Sequence, residues 1–105
     1  MRLTTRALAM LFAASPAYPQ TLTAGALESM CSTPSQAAGC VGYISGYIDG
    51  RNQSLPRATI CLPQGTPLTK VAAGFLQHLA NNRLEVSLQA GLVLGSYLVT
   101  AYPCR

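Results

Sequence analysis

The chain is 105 residues long, half of them hydrophobic and only 10% charged, with four cysteines and a formal net charge of +4. That length allows one domain at most. The charge would suggest a nucleic-acid partner, but Arg51, Arg57, Lys70, Arg83 and Arg105 are scattered and not interleaved with aromatics, so a stacking platform for nucleic acid is excluded.

Residues 1–17 are expected to be a cleavable signal peptide. Met1 to Arg6 form a basic segment, Ala7 to Ala14 an apolar one, and Ser15-Pro16-Ala17 a small-residue cleavage site. The apolar run is well short of the roughly 20 residues a membrane span needs, so no stable membrane insertion is expected after cleavage. Arg2 and Arg6 would leave with this segment, and the remaining domain, residues 18–105, carries a net charge of about +2. Cys31, Cys40, Cys61 and Cys104 in a short exported chain read as two disulfides in a periplasmic protein.

The spacing predicts a short first helix over Ala24–Cys31, capped by Thr23 and turning Leu27 and Met30 inward. Ser32 to Ser35 break it, and a second helix runs from about Gln36 to Asn52. At 100° per residue Gly39, Gly42, Gly46 and Gly50 share one stripe, Cys40, Tyr43 and Tyr47 a second, and Val41, Ile44 and Ile48 a third. Each interior glycine costs about 1 kcal/mol of helix propensity, so close packing against the glycine stripe is expected. The segment from Gln53 to Ile60, with Ser54, Pro56, Arg57 and Thr59, has no helical period and reads as an exposed loop.

After the Cys61 to Pro67 turn, Thr66 is the expected N-cap of a third helix. Its apolar face is Leu68, Val71, Ala72, Phe75, Leu76, Leu79 and Ala80, with His78 off that face and expected at the surface. Asn82 and Glu85 have capping-box spacing for a fourth helix over about Leu84–Ala101, apolar nearly all round and so expected in the core or at a dimer interface. The fold class is therefore all-α, a small disulfide-stabilised bundle of about four helices. Alternating helix directions favour pairing Cys31 with Cys40 and Cys61 with Cys104, while a long 53–60 loop leaves Cys40 with Cys61 open.

No catalytic or metal-binding constellation is legible. There is one histidine, no HExxH or GxSxG, no cysteine pair at zinc spacing, and Glu28, Asp49 and Glu85 lie far apart. A non-enzymatic binding role without cofactors is expected.

Cys40-Val41-Gly42-Tyr43-Ile44-Ser45-Gly46 with Asp49, then Cys61-Leu62-Pro63, then Phe75-Leu76 and a terminal Tyr102-Pro103-Cys104 resemble the Rap/Tai family of type VI secretion amidase immunity proteins. One departure is that members often carry a His-Pro turn where this chain has His78 to Asn82. The resemblance implies a periplasmic helical protein, commonly a homodimer, that binds a peptidoglycan amidase effector and obstructs its cleft. The residues nominated for partner binding are Arg51, Asn52, Pro56 and Arg57 in the long loop and Asn82 and Arg83 in the next turn. The family motif residues, Gly42, Tyr43, Ile44, Gly46, Asp49, Leu62, Pro63, Tyr102 and Pro103, are expected to be scaffold. The alternative function is a small periplasmic chaperone or stress protein that exposes apolar surface in acid.

Overall fold

The computed structural model describes residues 21–105, so the expected signal segment lies outside it. Four helices follow in order: α1 (Ala24–Ser32), α2 (Ala37–Ser54), α3 (Leu68–Asn81) and α4 (Ala90–Ala101). Short 3-10 turns at Pro34–Gln36 and Arg83–Ser87 join α1 to α2 and α3 to α4. Among the described residues there is no strand, only two isolated antiparallel bridges. The all-α, four-helix expectation holds.

Thr23 caps α1 as expected, its Oγ1 accepting from the Ala26 N–H at 3.1 Å. The first bridge pairs Thr23 with Gln89. Ala24 N–H donates to the Leu88 carbonyl and Ala90 N–H to the Leu22 carbonyl, each at 2.8 Å. This pairing accounts for a difference from the expected fourth helix. Leu88 and Gln89 must be extended to meet the lead-in to α1, so the 84–101 segment divides into a 3-10 turn and a later helix. The Asn82–Glu85 capping box does not form. Asn82 Nδ2 instead donates back to the His78 carbonyl at 2.8 Å, and Glu85 turns to the His78 ring.

The second bridge joins Ile60 to Pro103, with Cys61 N–H donating to the Tyr102 carbonyl at 2.8 Å. The Cys61–Cys104 disulfide locks the same crossing, and Cys31–Cys40 ties α1 to the start of α2. Both are the favoured pairings. Within this frame Leu27, Ile44, Ile60, Phe75, Leu79, Leu94 and Leu98 are fully buried in one core. On α3, Val71, Ala72, Phe75 and Leu79 point inward as the period predicts, while Ala80 is exposed. Thr66 does not cap α3. Its Oγ1 donates to the Pro63 carbonyl at 2.7 Å and closes the preceding turn, in which Gly65 adopts φ +86°.

The glycine stripe of α2 is the main correction, apart from Gly39, where an added Cβ would lie 3.2 Å from Met30 Cε. A Cβ placed on Gly42, Gly46 or Gly50 would meet nothing within 4 Å, and all three are exposed. The helix buries Cys40, Ile44 and Ile48 instead. Close approach between helices is supplied from the other side. Gly91 and Gly95 of α4 receive the Tyr47 ring, and Gly74 of α3 receives Tyr97. A tyrosine seated over a glycine fills the gap between helices that a larger residue at the glycine would close.

Two outcomes follow for stability, both read by urea unfolding. Gly46→Ala, in open space, is expected to stabilise by about 0.5–1 kcal/mol, whereas Gly95→Ala, whose Cβ would overlap the Tyr47 hydroxyl, is expected to destabilise by about 1–3 kcal/mol. The Cys61–Cys104 bond spans 43 residues and Cys31–Cys40 spans 9. The loop-entropy model gives about 4 and about 2.6 kcal/mol for their respective losses, so a Cys61→Ala/Cys104→Ala chain should be the weaker of the two double variants.

Candidate functional site

The end of α2 and the segment after it form an exposed feature with fixed flanks. Leu55, Pro56, Arg57 and Ala58 are all exposed. Their flanks are held from inside. Asn52 Nδ2 donates to the Ile60 carbonyl at 2.8 Å, and its Oδ1 accepts from the N–H groups of Thr59 and Ile60 at 3.2 and 3.3 Å. One side chain thus satisfies three backbone groups that no ladder serves, the arrangement buried backbone demands. Arg51 Nε donates to Thr59 Oγ1 at 3.1 Å and Nη1 to the Tyr47 hydroxyl at 3.0 Å. Ile60 is buried and bridged to Pro103 beside the Cys61–Cys104 bond. The loop tip therefore projects from two fixed ends, with Arg57 as its cation.

The six nominated residues divide accordingly. Pro56 and Arg57 are presented to solvent, while Arg51 and Asn52 hold the loop from below. In the second turn Asn82 bonds the end of α3. Arg83 donates through Nη1 to Glu28 Oε2 at 2.6 Å, tying that turn to α1, and this hydrogen bond, then the charge of Glu28, raises the guanidinium above its ordinary range. Asp49 is exposed and makes no hydrogen bond among the described residues, so it does not act as internal scaffold there.

His78 departs from its expected surface position. Its Nε2 lies 2.8 Å from Glu85 Oε1, its side chain is 24% exposed, and its ring leans on Tyr97 with centroids 5.5 Å apart. Burial, with Tyr102 nearby, raises the Tyr97 phenol above the ordinary tyrosine value.

Sequence reasoning missed a second feature, an open groove of about 630 Å³ between α2 and the start of α4. Tyr43, Tyr47 and Arg51 form one wall, Gln89, Gly91 and Leu92 the other. Burial, and then the neighbouring Tyr47, hold the Tyr43 phenol protonated above its usual range. The signal was present as two tyrosines four apart on α2 and two glycines four apart on α4, knobs and gaps of matching period. The groove adjoins the loop because Arg51 belongs to both.

Among the described residues, no group of three or more histidine, cysteine, aspartate or glutamate side chains could hold a metal ion. No helix of the described residues is long and apolar enough to cross a membrane. A family model described as Rap1a immunity proteins matches residues 23–104, from the cap of α1 to the last cysteine. No curated protein and no solved structure matches the chain.

Asn52→Ala should release the loop while leaving the bundle folded. Amide exchange at Thr59 and Ile60 is expected to speed up at least tenfold, with a stability loss of about 1–3 kcal/mol from the unsatisfied groups. Unchanged exchange at both amides would refute the anchoring role.

Proposed function

The chain belongs to the Rap1a immunity protein family, and on that premise we propose that it is a periplasmic immunity protein that binds and inhibits a type VI secretion peptidoglycan amidase. The carrying observation is the exposed 55–58 tip held at both ends by Asn52, Arg51 and the Cys61–Cys104 crossing. Such a tip enters a cleft with little ordering entropy left to lose, so more of its contact energy appears as affinity. Two disulfides fit an oxidising compartment, which favours the periplasm and the expected signal peptide. Protection follows from obstruction: a loop seated in the catalytic cleft excludes the cell-wall peptide, and no chemistry by the immunity protein is needed.

Association with a second copy of the chain is part of this reading and comes from the family resemblance. The open face of α2 at Gly42, Gly46 and Gly50 leaves room for it, and sedimentation equilibrium reads it directly.

The decisive experiment uses a candidate cysteine–histidine peptidoglycan amidase from the same genome. Purified immunity protein should abolish its hydrolysis of peptidoglycan at equimolar ratio. Arg57→Glu, which reverses the charge of an exposed tip residue, should weaken the complex at least tenfold by calorimetry while leaving the circular dichroism spectrum unchanged. If the amidase binds no better than micromolar and remains active, the assignment fails.

A further inference from the structure

The groove between α2 and α4 carries a charge that no acidic side chain answers among the described residues. Arg51 is half-buried in its wall. A guanidinium has five N–H donors, and Thr59 and Tyr47 take one each, leaving three. The three acids of the whole chain are elsewhere. Glu28 is paired with Arg83, Glu85 with His78, and Asp49 lies about 200° around α2 from Tyr47. The groove lining contains no carboxylate. Its other polar groups add donors, because the Tyr47 oxygen accepts from Arg51 and keeps its own O–H to give, and Gln89 brings an amide. Leu22 and Leu92 supply apolar surface beside them, Leu92 being 64% exposed.

Resting on the immunity reading above, we propose that this groove receives a segment of the effector that presents an aspartate or glutamate side chain between apolar residues, the carboxylate meeting Arg51 and the Tyr47 hydroxyl. Charge complementarity selects this occupant. A carboxylate matches the planar fork of a guanidinium, and charge-assisted bonds of this kind are about twice as strong as neutral ones. Arg51 is already fixed by two hydrogen bonds, so it loses little rotamer freedom on binding. Gly91 keeps the entrance open, since a Cβ there would lie 3.3 Å from the Tyr47 ring. The groove and the 55–58 tip meet at Arg51, so one partner can engage both.

The test is an amide NMR titration of the disulfide-intact protein with acetyl-Leu-Asp-Leu-amide and with acetyl-Leu-Asn-Leu-amide. The aspartyl peptide is expected to bind at least tenfold tighter, with the largest shifts at Tyr47, Gly91 and the Arg51 Nε–H. Leu92→Glu, an exposed position outside the Arg51 hydrogen-bond network, should place a competing carboxylate in the groove and reduce the preference to less than twofold. Leu92→Gln should retain it. Equal binding of the two peptides, or shifts mapping away from these residues, overturns the proposal. The amidase separates the two readings. Full inhibition by the Leu92→Glu protein, with no aspartyl preference in the native one, removes the groove and keeps the immunity function. An aspartyl preference in a protein that fails to bind the amidase removes the immunity function and supports the groove's selectivity for carboxylate.

Discussion

The Tyr47 hydroxyl seated over Gly95 is the contact on which the functional end of the molecule depends. A larger residue at Gly95 would meet that hydroxyl and Arg51 Nη1, the latter at 2.9 Å from a Cβ, so the glycine is what lets the phenol lie between α2 and α4. The hydroxyl then accepts from Arg51, and Arg51 in turn donates to Thr59. Three links therefore run from the packing of two helices to the position of an exposed loop. The groove is the same geometry seen from outside, because a phenol in place of direct backbone contact leaves concave space at its rim.

Two crossings hold this arrangement at its ends. Short helices are marginal alone in water, and α1 and α4 gain from being pinned by backbone pairs as well as by side chains. Thr23–Gln89 pins the start of α1 to the start of α4, and Ile60–Pro103 pins the loop exit to the end of α4. Helix α4 is thus fixed at both termini, by two hydrogen bonds at one and by one hydrogen bond plus a disulfide at the other. Fixing both ends of one helix also fixes the two surfaces that border it, the groove and the exit of the 55–58 loop.

Much of the architecture was legible in the sequence because it is local or periodic. Thr23 as a cap, the inward face of α3 and the break at Pro34 each follow from the chemistry of a few neighbouring residues. Alternating helix directions favour the cysteine pairing that forms, although the length of the 53–60 segment leaves Cys40 with Cys61 open in the sequence. What was not legible depends on contacts between distant segments. The split of the 84–101 segment requires knowing that residues 22–24 return to pair with it, and nothing near Leu88 announces that. His78 looked exposed because its own helix puts it off the apolar face, yet Tyr97 and Glu85 reach it from elsewhere. The candidate site was half legible. Turn chemistry located the loop tip, but not that Arg51 and Asn52 serve the loop from within.

The glycine-rich stretch of α2 changes meaning most. Glycines in a helix suggest a close neighbour, but proximity needs small residues on only one of two facing helices, and here α4 and α3 provide them. The family motif on α2 then separates by direction. Ile44 is core, and Tyr43 is groove wall. Gly42, Gly46 and Asp49 are exposed, and neither glycine has a neighbour within 4 Å of an added Cβ among the described residues. A motif that is half scaffold and half open surface cannot be explained by folding alone. Helix propensity argues the same way, since each exposed interior glycine lowers stability by about 0.5–1 kcal/mol relative to alanine without a packing contact in return. Within this chain, those glycines carry a cost that the described contacts do not offset.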